Sequence, residues 1–125
     1  MGADAARLPL APSRRVLIVE DEVLITMVLE DVLDMLGHTV VATPASFTEA
    51  EKAIDVGGFD LAILDVNLGV DPVFPLADRL RAAGTPMIFA TGSQRDTLPA
   101  RFDGIPVLEK PYAIAAVETA LGGIA

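Results

Sequence analysis

The five residues from Leu61 to Asp65, reading L-A-I-L-D, constrain the fold more than any other stretch of this chain. Four apolar residues followed at once by a carboxylate describe a strand buried on both faces that delivers an acid to the rim of a sheet. Val16 to Val19 has the same grammar, apolar and β-branched, and ends on Glu20, Asp21 and Glu22. If the two strands are parallel neighbours, their acids meet in one crevice at the carboxyl ends. Carboxylates gathered in one place repel, raise one another's pKa and cost stability unless a cation sits among them. The sequence therefore calls for a divalent metal.

The rest of the chain supplies the elements such a sheet needs. Met1 to Ser13 is rich in Ala and Pro without periodicity and reads as a flexible N-terminal tail, leaving 14–125 as one domain. After the first strand, Val23, Leu24, Met27, Val28, Val32 and Leu36 recur at helical spacing, and Gly37 closes that helix. Thr39 to Ala42 is a second strand. Ser46 with Glu49 three residues on makes a capping box for a helix from Phe47 to about Val56. Beyond Asp65, a loop from Asn67 to Pro75 leads to a third helix over Leu76 to Ala83, stopped by Gly84. Pro86 to Ala90 is a fourth strand ending on Thr91 and Gly92. Ser93 to Gly104 carries Pro99 and little periodicity, so any fourth helix is short and mobile. Pro106 to Leu108 is a fifth strand ending on Glu109, Lys110 and Pro111, and Tyr112 to Leu121 a final helix. Strands alternating with helices imply an α/β fold, a doubly wound five-stranded parallel sheet with right-handed crossovers and helices on both faces.

Composition narrows the function classes. No apolar run approaches the roughly 18 residues of a membrane span, the N-terminus lacks the layout of an export signal, and there is no cysteine. A soluble, cytoplasmic protein is expected. The net charge is −9, with 18 acidic against 9 basic residues, and no basic cluster beyond Arg14 and Arg15 supplies phosphate contacts. Nucleic acid is thus excluded as a direct partner.

Collected by strand end, the polar set is Glu20 and Asp21, then Asp65, then Thr91, then Lys110 followed by Pro111. In order and spacing these positions resemble a receiver domain of a two-component response regulator, over Arg15 to Leu121. The stretches P-M-I-F-A-T-G at 86–92 and D-V-N-L-G at 65–69 are similar to single-domain receivers marked by an F-A-T-G motif. The resemblance implies a flavodoxin-like strand order, 2-1-3-4-5. It implies a phosphorylatable signalling switch, with Asp65 accepting a phosphoryl group from the phosphohistidine of a histidine kinase or phosphotransfer protein. Asp21 would ligate Mg²⁺ directly, Glu20 mainly through water, and Asp65 and the backbone carbonyl of Asn67 would add oxygens, the donors Mg²⁺ prefers. Lys110 would pair with Asp65 and then with a phosphoryl oxygen. Three carboxylates, one lysine and one Mg²⁺ sum to zero formal charge. Thr91 would hydrogen-bond the phosphoryl group, Gly92 would leave room for it, and a cis bond before Pro111 would fix the approach of the lysine. Asn67 and Ser93 stand where receivers tune the lifetime of the phosphorylated form.

Output would run through contacts with a downstream protein. The chain stops soon after its last helix, so no DNA-binding output domain is expected, and a weak homodimer is left open. Two departures from the family pattern bear on the switch. Most receivers carry Phe or Tyr three residues before the lysine, and here that position is Val107. The Met-Pro pair common after the acceptor is replaced by Leu68, Gly69 and Val70. Both point to an output surface reorganised by ordering of residues 92–104 rather than by a rotating ring.

Other residues read more plainly. Glu22 alone reads as a solvated loop start. His38, after Gly37 in a turn, reads as a surface residue rather than a ligand or phosphocarrier. Phe47, Phe59, Phe74, Phe89 and Phe102 are scattered and lack neighbouring cations, so they read as packing, and so does Tyr112. Two rival functions remain. A haloacid-dehalogenase-type phosphatase or phosphotransferase would show a D-x-D pair on its first strand, where this chain has E-D-E. A binding-only module, a flavodoxin-type flavin binder or a receiver that is never phosphorylated, is the other. A flavin binder would need a Ser/Thr/Gly-rich loop after that strand.

Overall fold

A computed structural model describes residues 13–68, 71–92, 98–110 and 114–122. All of the N-terminal tail but Ser13, together with Gly69, Val70, Ser93, Pro111 with the bond before it, and Tyr112, lies outside the described residues. The order of elements is β1 (Arg15–Val19), α1 (Val23–Met35), β2 (Thr39–Ala42), α2 (Phe47–Val56), β3 (Leu61–Asp65), α3 (Phe74–Ala82), β4 (Met87–Thr91), β5 (Val107–Glu109) and α4 (Ile114–Gly122). A two-stranded antiparallel ribbon, Asn67–Leu68 against Asp71–Pro72, follows β3, and a single 3₁₀ turn at Ala100–Phe102 precedes β5.

The five strands are parallel and run in the order β2-β1-β3-β4-β5. That is the doubly wound arrangement expected from the alternation of elements. Burial explains the order. Every residue of β3 and β4 is buried, whereas β2 and β5 alternate between exposed and covered positions. The fully apolar strands take the centre, where helices cover both faces.

Alternation along the strands divides the core into two layers. Leu17, Val19, Ala62, Leu64 and Phe89 face one side and pack with Ala50 of α2 and with Leu76, Ala77 and Leu80 of α3. Val16, Ile18, Leu61, Ile63 and Ile88 face the other side and pack with Leu29, Val32 and Leu33 of α1 and with Val117 and Ala120 of α4. The β1–β3 register sets Val16 beside Leu61 and Val19 beside Leu64, so the two apolar runs end level with each other.

Local signals act as read, with some adjustments. The Ser46 hydroxyl accepts from the Glu49 N–H at 3.1 Å, but the Glu49 carboxylate accepts from the N–H of Ala45 at 2.9 Å, one residue before the cap. Helix α3 starts at Phe74, ahead of the expected Leu76, because Pro75 fits a first helical turn whose N–H groups have no partner in any case. Helix α4 runs one residue past the expected Leu121, to Gly122. Helix α1 buries Thr26, Leu29, Val32 and Leu33, which leaves Val23, Leu24, Met27 and Val28 of the expected apolar stripe exposed.

His38 departs from its reading as a surface residue. At 7 % exposure it is buried, and its Nδ1 accepts the backbone N–H of Arg14 at 3.0 Å. The cause lies in the end of α1. Gly37, at φ +90°, donates to the Asp34 carbonyl while His38 N donates to the Leu33 carbonyl, a Schellman turn that swings the chain back under β1. Burial holds the imidazole below its ordinary pKa, with the Arg14 charge adding to the effect and Asp60 opposing it.

The phenylalanines are packing residues, as read, but they are neither scattered nor all remote from cations. Phe74, Phe89 and Phe102 form a cluster with centroids 5.2 to 6.1 Å apart. The guanidinium groups of Arg81 and Arg101 lie 5.5 and 4.6 Å from the Phe102 ring. Arg101 also makes a two-pronged contact with Asp78 of α3, at 2.9 and 3.0 Å. The weakly patterned stretch before β5 is therefore anchored to α3 through one buried ring. Phe102→Ala is expected to cost about 3–5 kcal/mol, the range for removing a buried aromatic and leaving a cavity. The shift in the urea unfolding midpoint measures it.

Candidate functional site

The carboxyl ends of four strands converge on one acidic pocket. β1 runs into Glu20, Asp21 and Glu22, β3 ends on Asp65, β4 ends on Thr91, and β5 leads into Lys110. Ladder register makes them meet. Val19 pairs with Leu64, which sets Glu20 level with Asp65; Asp65 pairs with Ala90, and Thr91, one residue further on, pairs with Glu109 just before Lys110. The Lys110 N–H donates to the Thr91 carbonyl at 2.8 Å and the Val66 N–H to the Ala90 carbonyl at 2.9 Å, carrying the sheet bonding into the loops around the pocket.

Within the pocket Lys110 Nζ lies 2.9 Å from Glu20 Oε1 and 3.3 Å from Asp65 Oδ2. Glu20 and Asp65 are only 3 and 4 % exposed. Asp65 Oδ1 accepts the backbone N–H of Asn67 at 3.2 Å, and Glu20 Oε2 accepts that of Glu22 at 3.1 Å. Thr91 is buried next to this group, while Asp21 and Gly92 are exposed at its rim. Glu22, read as a solvated loop start, is exposed, yet its carboxylate reaches to 3.4 Å from Lys110 Nζ. No spacing in the sequence foretells that contact, because it joins residues 88 positions apart.

Electrostatics follow from the burial. Desolvation pushes the Glu20 carboxyl up to about 7, with the Asp65 charge adding to the rise and the neighbouring Lys110 ammonium opposing it. Burial raises Asp65 as well, against the pull of Glu20, Lys110 and the Asn67 N–H. For Lys110, burial alone would lower the pKa, but Glu20 and Asp65 outweigh it and hold the ammonium above its ordinary value. One lysine does not neutralise the pocket. Glu20 Oε1 sits close to the ammonium without an aligned N–H, so it is a buried carboxylate oxygen with no hydrogen bond.

Among the described residues, Glu20, Asp21 and Asp65 form a group able to hold a metal ion, each offering an oxygen within 4.8 Å of the others. An all-carboxylate donor set suits a hard divalent cation. The residues singled out in the sequence are thus brought together: Glu20, Asp21, Asp65, Thr91 and Lys110 line the pocket, and Asn67 and Gly92 border it. The same described residues contain no helix long and apolar enough to cross a membrane.

Comparison with known proteins agrees with this arrangement. Residues 16–121 match the response regulator receiver domain. The solution structure of SdrG from Sphingomonas melonis Fr1 is 43 % identical, covers 91 % of this chain and 98 % of its own, and superposes with a TM-score of 0.82. The BeF₃-activated conformation of SdrG, reported from Pseudomonas melonis Fr1, is 44 % identical over 87 % of this chain and 93 % of its own, with a TM-score of 0.76. Among curated proteins, the transcriptional regulatory protein PdtaR of Mycobacterium tuberculosis is 34 % identical over 112 residues, covering 84 % of this chain and 53 % of PdtaR. The chain spans about half the length, or less, of the curated relatives it matches. With the strand order, the acidic pocket and the lysine all in place, the chain belongs to the response regulator receiver family.

Proposed function

We infer that this chain is a phosphorylatable switch in which Asp65 accepts a phosphoryl group from the phosphohistidine of a histidine kinase or phosphotransfer protein, and a downstream protein partner reads the result. One observation carries the reading: a buried Asp65 carboxylate held 3.3 Å from Lys110 in a pocket that a single ammonium leaves anionic. The chemistry is one covalent phosphorylation per chain rather than turnover of a substrate, in keeping with a cytoplasmic signalling role. The acids at the end of β1 occupy the place where a flavin-binding loop would lie, and they do not form the D-x-D pair of a dehalogenase-type phosphatase.

Asp65 supplies the nucleophile. As its Oδ bonds to phosphorus, the phosphorus–nitrogen bond of the donor breaks and the imidazole leaves with the electron pair. Lys110 balances charge as a phosphoryl oxygen replaces a carboxylate oxygen beside it. Glu20, Asp21, Asp65 and the Asn67 carbonyl would hold Mg²⁺, which when bound supplies charge neutralisation for the phosphoryl oxygens. The Thr91 hydroxyl donates to the phosphoryl group, and its backbone tie to Lys110 links the loops after β4 and β5. Among the described residues nothing lies within 4 Å of a Cβ placed on Gly92, which leaves open space there. That open space is the room an entering phosphoryl group uses.

The exposed stripe on α1 fits a protein partner. Val23, Leu24, Met27 and Val28 are 46 to 77 % exposed and begin one residue past Glu22, at the mouth of the pocket. A patch of this kind beside a reactive carboxylate is where a macromolecular donor would lie.

Incubation with acetyl phosphate and Mg²⁺, followed by weighing of the intact chain, tests the reading. A gain of one phosphoryl group, absent in Asp65→Asn, is the expected result. Release of many phosphates per chain would mark an enzyme, and no gain a binding-only module. The pocket also sets a pH dependence. Burial pushes Glu20 from its ordinary 4.5 up to about 7, so the folded state binds the extra proton. Its stabilising contribution is full below the unfolded value and is lost as pH rises through 7. Without divalent cation, the melting temperature is expected to rise as pH falls from about 8 to about 6, with Mg²⁺ raising it most at the upper end. A flat profile in that window, or no response to Mg²⁺, contradicts the assignment.

A further inference from the structure

Glu22 has no task in the reading above. It occupies the N-cap of α1 with an extended backbone (φ −95°, ψ 111°), yet its side chain makes no capping bond. Glutamate is not among the favoured caps, whose shorter side chains reach the free N–H groups of the first turn. The Glu22 carboxylate instead crosses to Lys110, with Oε1 3.4 Å from Nζ. Its own N–H donates to Glu20 Oε2 at 3.1 Å, which ties its position to the innermost acid of the pocket. One ammonium therefore faces three carboxylates, those of Glu20, Asp65 and Glu22, at 2.9, 3.3 and 3.4 Å.

The three are not equivalent. The Glu20 and Asp65 side chains are 2 and 4 % exposed, whereas that of Glu22 is 63 % exposed. An ammonium has three N–H donors. A phosphoryl oxygen that takes the place of the Asp65 carboxylate oxygen beside the ammonium has to compete with Glu20 and Glu22 for it. Glu22 is the one that water can solvate once released. Resting on the assignment of Asp65 as phosphoacceptor, we propose that Glu22 is a positioning residue that holds Lys110 toward the mouth of the pocket before phosphorylation and thereby slows phosphoryl uptake.

With acetyl phosphate the step balances without proton transfer. The bond between phosphorus and the acetyl carboxylate oxygen breaks as the Asp65 Oδ–phosphorus bond forms, and acetate leaves with the electron pair. What must change on the protein is the partner set of Lys110, and Glu22 opposes that change.

The experiment measures phosphorylation rates of the full chain by intact mass, with acetyl phosphate and Mg²⁺, for the natural sequence, Glu22→Gln and Glu22→Asp. Asp keeps the charge but is shorter and is a favoured cap, so its carboxylate turns back to the first turn of α1 and releases the lysine. Both variants are expected to take phosphate about two- to fivefold faster, the scale of an exposed ion pair. In the metal-free protein the Lys110 ammonium resonance is expected to shift in both. Faster uptake by Glu22→Gln alone would mean that the charge merely repels the anionic donor, and would overturn the proposal. Equal or slower rates in both variants, with the natural sequence phosphorylated, would overturn it too. A natural sequence that takes no phosphate overturns the acceptor assignment itself, which tells the two failures apart.

Discussion

Two buried carboxylates facing one ammonium are the constraint on which the rest of this structure depends. Desolvating Glu20 and Asp65 is unfavourable, and Lys110 offsets only part of it, as the raised pKa values of both acids record. An arrangement that cost stability without return would be relieved by moving an acid to the surface. Here the sheet prevents that. Asp65 is the last residue of a fully buried strand and Glu20 follows four buried residues of β1, so neither can leave the pocket unless apolar strand residues leave the core. The hydrophobic centre of the molecule holds its polar site under electrostatic tension, ready for a cation and an anionic group to relieve it.

Most of this was legible in the sequence because the signals involved are local. A run of apolar β-branched residues ending on a carboxylate fixes both the strand and the fate of its last residue. Leu61–Asp65 and Thr39–Ala42 start and stop where the pattern places them. The Ser46 cap and the Gly37 turn act through neighbours a few positions away. What escaped depends on contacts across the chain. The burial of His38 follows from where the Schellman turn sets it relative to Arg14, 24 positions away. The aromatic cluster joins Phe74, Phe89 and Phe102 from three elements, and the arginines beside Phe102 come from α3 and from the 3₁₀ turn.

Helix α1 shows a subtler failure of pattern reading. Its apolar residues wrap too far round the cylinder for all to face the sheet, and periodicity alone does not say which part the core takes. The core took Leu29, Val32 and Leu33 with the small polar Thr26, and left the larger residues of the first turns in solvent. Exposed side chains of that size beside the acidic pocket have no folding role, which turns attention from stability to recognition. Val107 carries a similar lesson on β5. It is half exposed at the sheet edge, and among the described residues the ring contacts lie between β4, α3 and the turn anchored by Phe102.

The in-phase alternation of β1 and β3 has one more consequence. Because Val16 lies beside Leu61 and Val19 beside Leu64, the two apolar runs finish together and their acids emerge side by side. A slip of one residue would send every leucine and isoleucine of a central strand to the opposite layer and pull the aspartate out of line with its glutamate. Chains with a mispaired sheet would therefore be unable to assemble the reactive centre, and would turn apolar side chains of a central strand out of their layer. Pairing fidelity and chemical competence are here one and the same event, so a molecule that has folded has also been proofread.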